Sequence, residues 1–171
     1  DRAYRGVGDM PPLGIRMMAS LELALSAGEL RLSSTDPDEQ PFLDYRYFQQ
    51  EEDLRRMREA VRLCVSLGEH ERFNDIIESR IEPTDEELAS DEDLNIYMIR
   101  EVTTGQHISG TCKMGPDSDS MAVVNQYGRV RGIQNLRIVD ASIMPDCIRA
   151  NTNVTTMMIA ERVSDFIKDG K

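Results

Sequence analysis

The decapeptide HISGTCKMGP, residues 107–116, gathers chemistry-bearing side chains in a chain of 171 residues that holds two histidines. Histidine is the side chain whose ordinary titration lies nearest neutral pH, which suits it to general acid or base work. A histidine ahead of Gly-Thr is by itself an ordinary structural residue. Its neighbourhood makes His107 a candidate base, because Gly110 lets backbone approach a bound group and Thr111 offers a hydroxyl. His70, within GEHERF, sits among charges and reads as a surface residue. Cys112 follows His107 by five residues, yet no orienting acid stands near the pair in sequence, so a Cys-His nucleophile ranks below a histidine acting alone.

Cys64, Cys112 and Cys147 are odd in number and share no C-x-x-C spacing, so neither a disulfide framework nor a zinc site is signalled, and no metal is expected. A reducing compartment, and hence a cytoplasmic location, is the corresponding expectation. In RANTNVTTMM, residues 149–158, two asparagines flank Thr152 where an amphipathic helix should begin. The free N–H groups and partial positive charge of such a terminus suit an anion or an electron-rich ring oxygen. Helix capping accounts for one asparagine and leaves the other to explain. Asp140 closes LRIVDAS, where a parallel strand typically delivers a residue to a ligand crevice, although a plain turn acid fits the same letters. No G-x-G-x-x-G follows a strand: RGVGDM, residues 5–10, lacks the third glycine and the strand-helix context.

These residues need elements to position them. Leu21, Leu23 and Leu25 alternate with Glu22, Ala24 and Ser26, and Leu30 and Leu32 alternate with Glu29 and Arg31, which predicts two strands in a hairpin turning near Gly28. SSTDPDEQP, residues 33–41, is a turn-rich loop. Leu54, Met57, Val61, Cys64 and Val65 recur at helical spacing over residues 51–67, with Gly68 as the stop. Thr84 with Glu87 fits a capping box, and Ser90 or Asp91 can cap a second helix that Gly105 would close. MAVVNQYGRVRGIQNLRIVDASIMP, residues 121–145, predicts brief strands and tight turns, with LRIVDAS as a buried strand. A final helix through VTTMMIAERVSDFIKDG should start at Asn or Thr and stop at Gly170.

Composition bounds the classes. The chain is 40% apolar and 30% charged, the balance of a globular protein, and its length suits one ordinary domain. Its formal charge of -11 comes from 31 acids against 20 bases, and residues 82–93 carry seven acids and no base. Nucleic acid is excluded as an expected partner, since phosphate binding needs a basic footprint. No stretch approaches the ~20 apolar residues of a membrane-spanning helix. The first residues lack a signal peptide's apolar core, and an Asp rather than a Met at position 1 fits a fragment, a processed protein or a trimmed chain.

Taken together, HISGTCKMGP, VVNQYGRVRGIQNLRIVDASIMP and NTNVTTMMIAERVSDFI resemble the C-terminal region of the glucose-methanol-choline (GMC) family of flavin-dependent oxidoreductases, nearest to its choline-dehydrogenase-like members. AGELRLSSTDPDEQPFLDYRYFQQEEDLRRMREAVRL is similar to the segment that opens the family's substrate-side sheet and first helix. The resemblance runs from about Gly28 to Lys171 and is most specific in the last seventy residues.

The resemblance implies an FAD-bound enzyme that oxidises a small-molecule alcohol by passing hydride from carbon to flavin. His107 matches the family's H-x-x-G-T base, and Asn151, favoured over Asn153 by the count back from AERVSD, matches its His or Asn partner. Asp140 and Ala141 match a strand end along the cofactor, and Thr152 and Asn153 match the loop and helix start near the flavin ring. The implied fold is α/β (α+β): residues 1–120 supply an antiparallel substrate-domain sheet with flanking helices, and residues 121–171 supply the last strand, loop and helix of an FAD-binding domain. The glycine-rich Rossmann part is expected to be missing, so the chain alone is expected neither to retain FAD nor to turn over. Its expected partners are that N-terminal segment and, through Met157, Met158, Ile159 and Phe166, a second copy. Two other readings stand beside it: a non-catalytic binding or structural module, and a family lyase that uses the same histidine without redox turnover.

Overall fold

The computed structural model describes residues 14–171, and RGVGDM lies outside them. The chain forms two compact units, Asp1–Thr104 and Gly105–Lys171. The boundary expected at residue 120 falls inside the second unit. Among the described residues the elements are β1 (Glu29–Arg31), β2 (Phe42–Asp44), α1 (Glu51–Gly68), α2 (Asp91–Glu101) and α3 (Thr152–Lys168), with single 3-10 turns at Glu71–Phe73 and Ala141–Ile143.

In the first unit α1 follows its predicted span, with Glu51, Glu52 and Asp53 in the first turn, where negative charge complements the helix dipole. It packs on α2, whose Leu94 and Met98 are buried one helical turn apart. Arg58, itself buried, joins the two helices by donating to Asn95 at 2.9 Å and to Glu51 at 2.8 Å, with Asp91 at 3.4 Å. Ser90 caps α2 by accepting from the Asp93 N–H. Thr84 and Glu87 make the reciprocal bonds of a capping box, at 2.7 Å and 3.3 Å, but the segment they open is a turn rather than a helix. Gly105 does not close α2, which ends at Glu101 with Val102 as its C-cap. His70 caps the Glu71–Phe73 turn, where its Nδ1 accepts from the Arg72 N–H at 3.2 Å.

The hairpin expected within residues 21–32 does not form. β1 pairs antiparallel with β2, in the register Glu29 to Asp44, Leu30 to Leu43 and Arg31 to Phe42. Like charges thus stand opposite at the first pair, an unfavourable placement, which Arg46 offsets by reaching Asp44 at 2.7 Å and Glu29 at 2.8 Å. Gly28 is required by close approach instead of by a turn: a Cβ there would lie 2.3 Å from the Asp44 carbonyl oxygen. Residues 21–25 are not a strand because α1 takes their backbone groups. The Asp53 carboxylate accepts from the N–H of Leu25 at 3.0 Å, from the N–H of Ser26 at 2.7 Å and from the Ser26 hydroxyl at 2.6 Å. Arg56 donates to the carbonyls of Leu23 at 3.1 Å and Glu22 at 2.7 Å.

Asp53 therefore holds a backbone segment in place through its charge. Burial pushes its carboxyl up, but the Leu25 N–H and the Ser26 hydroxyl and N–H outweigh it and hold the group below its ordinary range. A depressed folded pKa contributes stability that is fully present above the unfolded value, about 3.9, and is lost as pH falls through the folded value. Asp53→Ala is expected to cost about 1–3 kcal/mol, because it strips three donors of their acceptor. Amide exchange at Leu25 and Ser26 should accelerate at neutral pH in the variant, and in the wild type only as pH falls below about 4. Unchanged exchange at both amides in the variant would remove Asp53 as the anchor.

The second unit has short bridges in place of strands. Met114 pairs with Val124, Val124 with Val130 and Arg129 with Arg137. LRIVDAS is accordingly no strand of its own, and Ile138 and Val139 are half-buried. Residues 128–130 lie beside it through the Arg129–Arg137 bridge, and Gly110 and Cys112 donate to the carbonyls of Ala141 and Ser142 at its end, but among the described residues neither pairing extends into a ladder. The tight turns are present. The Asn125 side chain accepts from the N–H groups of Tyr127 at 3.0 Å and Arg129 at 3.2 Å, and Gly128 closes the turn at φ 72°. A Cβ on Gly128 would sit 2.9 Å from the Ile138 carbonyl oxygen. Left-handed backbone costs a side-chain-bearing residue about 1–2 kcal/mol before that crowding is added. Gly128→Ala is expected to lower the melting temperature by about 2–8 °C, and an unchanged melting curve would contradict the strain.

Val163 of α3 joins Ala122, Val124, Ile143 and Met144 in the buried core, and Phe166 packs edge-on against Tyr127 with ring centroids 5.0 Å apart. Phe166 and Ile159 are half-buried, so they do not belong to the expected exposed patch. Met157 and Met158 are exposed as expected, by 52% and 55%, and Val154, exposed by 70%, extends the apolar face they form. Asp169 is the C-cap, and the N–H groups of Gly170 and Lys171 return to the carbonyls of Ile167 at 3.1 Å and Phe166 at 2.8 Å, which ends α3 in a Schellman turn.

Candidate active site

The stretch that begins at His107 is stitched to the segment after Asp140. Alternate N–H groups of the first donate along the second: Gly110 to the Ala141 carbonyl at 3.3 Å, Cys112 to Ser142 at 2.9 Å and Met114 to Ile143 at 2.8 Å. On the other side the Val123 N–H donates to the Lys113 carbonyl at 2.9 Å. The glycine-rich run thus lies between two segments of its own unit, anchored where Val124, Ile143 and Met144 fill the core. Asp140 caps the Ala141–Ile143 turn, accepting from the Ser142 N–H at 2.8 Å and from the Ser142 hydroxyl. Its carboxylate is thereby engaged by its own turn. Lys113 pairs with Asp119 at 2.7 Å, and that ammonium, with the Met121 N–H, holds the Asp119 carboxyl below its usual range. Lys113, in the same run as the candidate base, therefore already has a counter-ion.

His107 is exposed, and its Nδ1 lies 3.0 Å from Oγ1 of Thr152. Thr152 is the first residue of α3, and Asn151 is the N-cap. The imidazole is in this way held at a helix start, beside the residue next to Asn151. The asparagine occupies the capping position without capping: its side chain makes no cap hydrogen bond. Its amide and the first-turn N–H groups of α3 are therefore open to a ligand, with Asn151 and Asn153 both exposed. None of the three cysteines forms a disulfide, and among the described residues no group of three or more His, Cys, Asp or Glu side chains is placed to hold a metal ion.

Of the residues singled out in the sequence, His107 and Thr152 are in contact, Asn151 and Asn153 flank them at the start of α3, and Ala141 is bonded to the glycine-rich run. The bond between His107 and Thr152 is what sequence reading missed. The two residues are 45 positions apart, and no periodicity or local motif links them.

A backbone-stitched glycine-rich run, a histidine on a helix start and an uncapped asparagine are the residues quoted above for the GMC resemblance. Residues 24–160 match the sequence model of GMC oxidoreductases, and the chain belongs to this family. It is 38% identical over 165 residues to the oxygen-dependent choline dehydrogenase of Proteus mirabilis (strain HI4320), covering 96% of this chain and 29% of that protein. Among solved structures it is similar to a variant of formate oxidase from Aspergillus oryzae RIB40, solved for the effect of mutation on FAD modification. The TM-score is 0.75 at 30% identity, over 84% of this chain and 25% of that one. It is also similar to an FAD-dependent oxidoreductase from Chaetomium thermophilum, with a TM-score of 0.73 at 27% identity, over 84% of this chain and 24% of that one. The chain thus spans less than a third of the length of these relatives. The expected mixed fold holds: a two-stranded antiparallel sheet with helices, similar in structure to part of these enzymes. No helix among the described residues is long and apolar enough to cross a membrane.

Proposed function

We propose that this chain supplies the proton-accepting part of the active site of an FAD-dependent oxidoreductase that oxidises a small alcohol. The observation that carries the reading is His107 held 3.0 Å from Thr152 on the first turn of a helix whose N-cap, Asn151, leaves its amide uncommitted. His107 takes the hydroxyl proton of the substrate. Asn151 donates a hydrogen bond to the oxygen that becomes negative as that proton leaves. FAD, when bound, would supply the acceptor for the hydride that leaves the substrate carbon.

The donor set at α3 fits such a cofactor. The first-turn N–H groups and the exposed Asn153 amide point to an electron-rich acceptor, which suits the carbonyl-bearing side of a flavin ring. Thr152 and Asn153 would hold that side by backbone, and Ala141 would border it. Asp140 would shape the turn from which Ala141 reaches it, since its carboxylate serves Ser142. Residues 1–120 then serve the substrate side and residues 121–171 the flavin side, with the remainder of the active site supplied by chain beyond these residues. Val154, Met157 and Met158 offer an apolar face of α3 to that remainder or to a second copy. Three thiols outside disulfides suit a reducing, cytoplasmic setting.

Choline is the first alcohol to test, because curated relatives are choline dehydrogenases. The complete flavin-loaded enzyme, mixed with choline and then with other primary alcohols in the absence of oxygen, should lose its flavin absorption band. A band unchanged by every alcohol would sink the reading as an alcohol oxidoreductase.

A further inference from the structure

We infer that Thr152 is a positioning residue for His107: its Oγ1 accepts the Nδ1–H and so leaves Nε2 as the nitrogen able to take a proton. The inference rests on the reading of His107 as base. A neutral imidazole carries its one hydrogen on either nitrogen, and the partner at Nδ1 decides which. Here that partner is a hydroxyl at 3.0 Å, which can accept or donate. If the hydroxyl donated, Nδ1 would be the acceptor, Nε2 would carry the hydrogen, and the ring could offer only a donor to an alcohol. If it accepts, Nε2 is free, and the same bond persists once the ring has taken a proton, because Nδ1–H still needs an acceptor. The second arrangement carries the ring through both protonation states without turning either group.

Position in the helix makes the hydroxyl available. Elsewhere in α3 the hydroxyls of Thr156 and Ser164 donate to carbonyls four residues back, to Thr152 at 2.9 Å and Ala160 at 2.8 Å. For Thr152, the first helical residue, the carbonyl four back belongs to Ile148, outside the helix. Its hydroxyl faces the imidazole instead. The other histidine supplies an internal contrast, since the Nδ1 of His70 accepts from a backbone N–H, which can only donate, and so its hydrogen sits on Nε2. The two histidines are therefore expected in opposite tautomers.

Long-range proton–nitrogen correlation spectra of the full chain labelled with 15N-histidine test this. The neutral His107 should show a protonated Nδ1 and a bare Nε2, and His70 the reverse. In Thr152→Val the His107 preference should fall by about two- to tenfold, the size one neutral hydrogen bond supports, with His70 unmoved. Thr152→Ser should restore it, and the Val variant keeps the Thr156 bond to the residue 152 carbonyl as a sign that the helix start is intact. A hydrogen on Nε2 of His107 in the wild type, or identical spectra for wild type and Thr152→Val, would overturn the inference. Its failure is separable from that of the base reading. Normal turnover of His107→Ala removes the base whatever the spectra show, whereas lost turnover with unchanged Thr152→Val spectra removes only Thr152.

Discussion

His107→Ala lowers turnover of the flavin-loaded enzyme by about 10²–10⁴-fold while flavin stays bound, the loss expected when a positioned base is deleted. Without the imidazole the substrate proton must leave to solvent, and the charge on its oxygen develops with no acceptor in place. Binding of the flavin should survive, because the groups assigned to it lie at the start of α3 and at the Asp140–Ala141 turn, and His107 touches α3 through one hydrogen bond worth about 0.5–1.5 kcal/mol. The measurement is turnover per bound flavin, read from absorbance, with added imidazole as a rescue. Turnover equal to wild type would end the assignment. A variant that lost flavin and activity together would show His107 to be structural.

The second large effect concerns Asn151. Deleting one preorganised donor to a developing oxyanion costs about 10²–10³-fold in turnover, so Asn151→Ala should fall in that range, with Asn151→His less impaired, because the GMC pattern admits either residue. The structure makes this test decisive. An asparagine that caps a helix loses about 0.5–2 kcal/mol of stability on change to alanine, but the Asn151 side chain makes no cap bond. The expected result is a drop in turnover with thermal stability unchanged. A drop in stability with turnover intact would make Asn151 a cap.

Where local pattern decides the outcome, the sequence was legible. The apolar spacing of α1, the Ser90 cap of α2, the Thr84 and Glu87 box and the C-terminal stop of α3 all depend on residues within one or two turns of each other, and all are found. Three expectations failed where the outcome depended on partners or endings that the local pattern does not name. The alternation at Leu21–Leu25 satisfies a strand template, yet Asp53 and Arg56 of α1 bind that backbone from about thirty positions away. LRIVDAS is apolar enough for a buried strand, but its pairing with residues 128–130 stops at the Arg129–Arg137 bridge, and Asp140 turns the chain into the Ala141–Ile143 3-10 turn. Gly105 has the right letter for a helix stop, and α2 had already ended at Val102.

The candidate site divides in the same way. Residue type, spacing and the family wording of HISGTCKMGP and NTN selected His107, Asn151, Thr152 and Asn153 without coordinates, because these signals are written in contiguous letters. Tertiary structure decided how they are used: that the His107 ring meets the Thr152 hydroxyl, that Asn151 stands at the cap position with its amide unengaged, and that Asp140 turns its carboxylate to Ser142. A one-dimensional pattern carries propensity and periodicity, which act over a few residues. A hydrogen bond between residues 45 positions apart depends on where packing brings the two backbones, and that exists only in the folded chain.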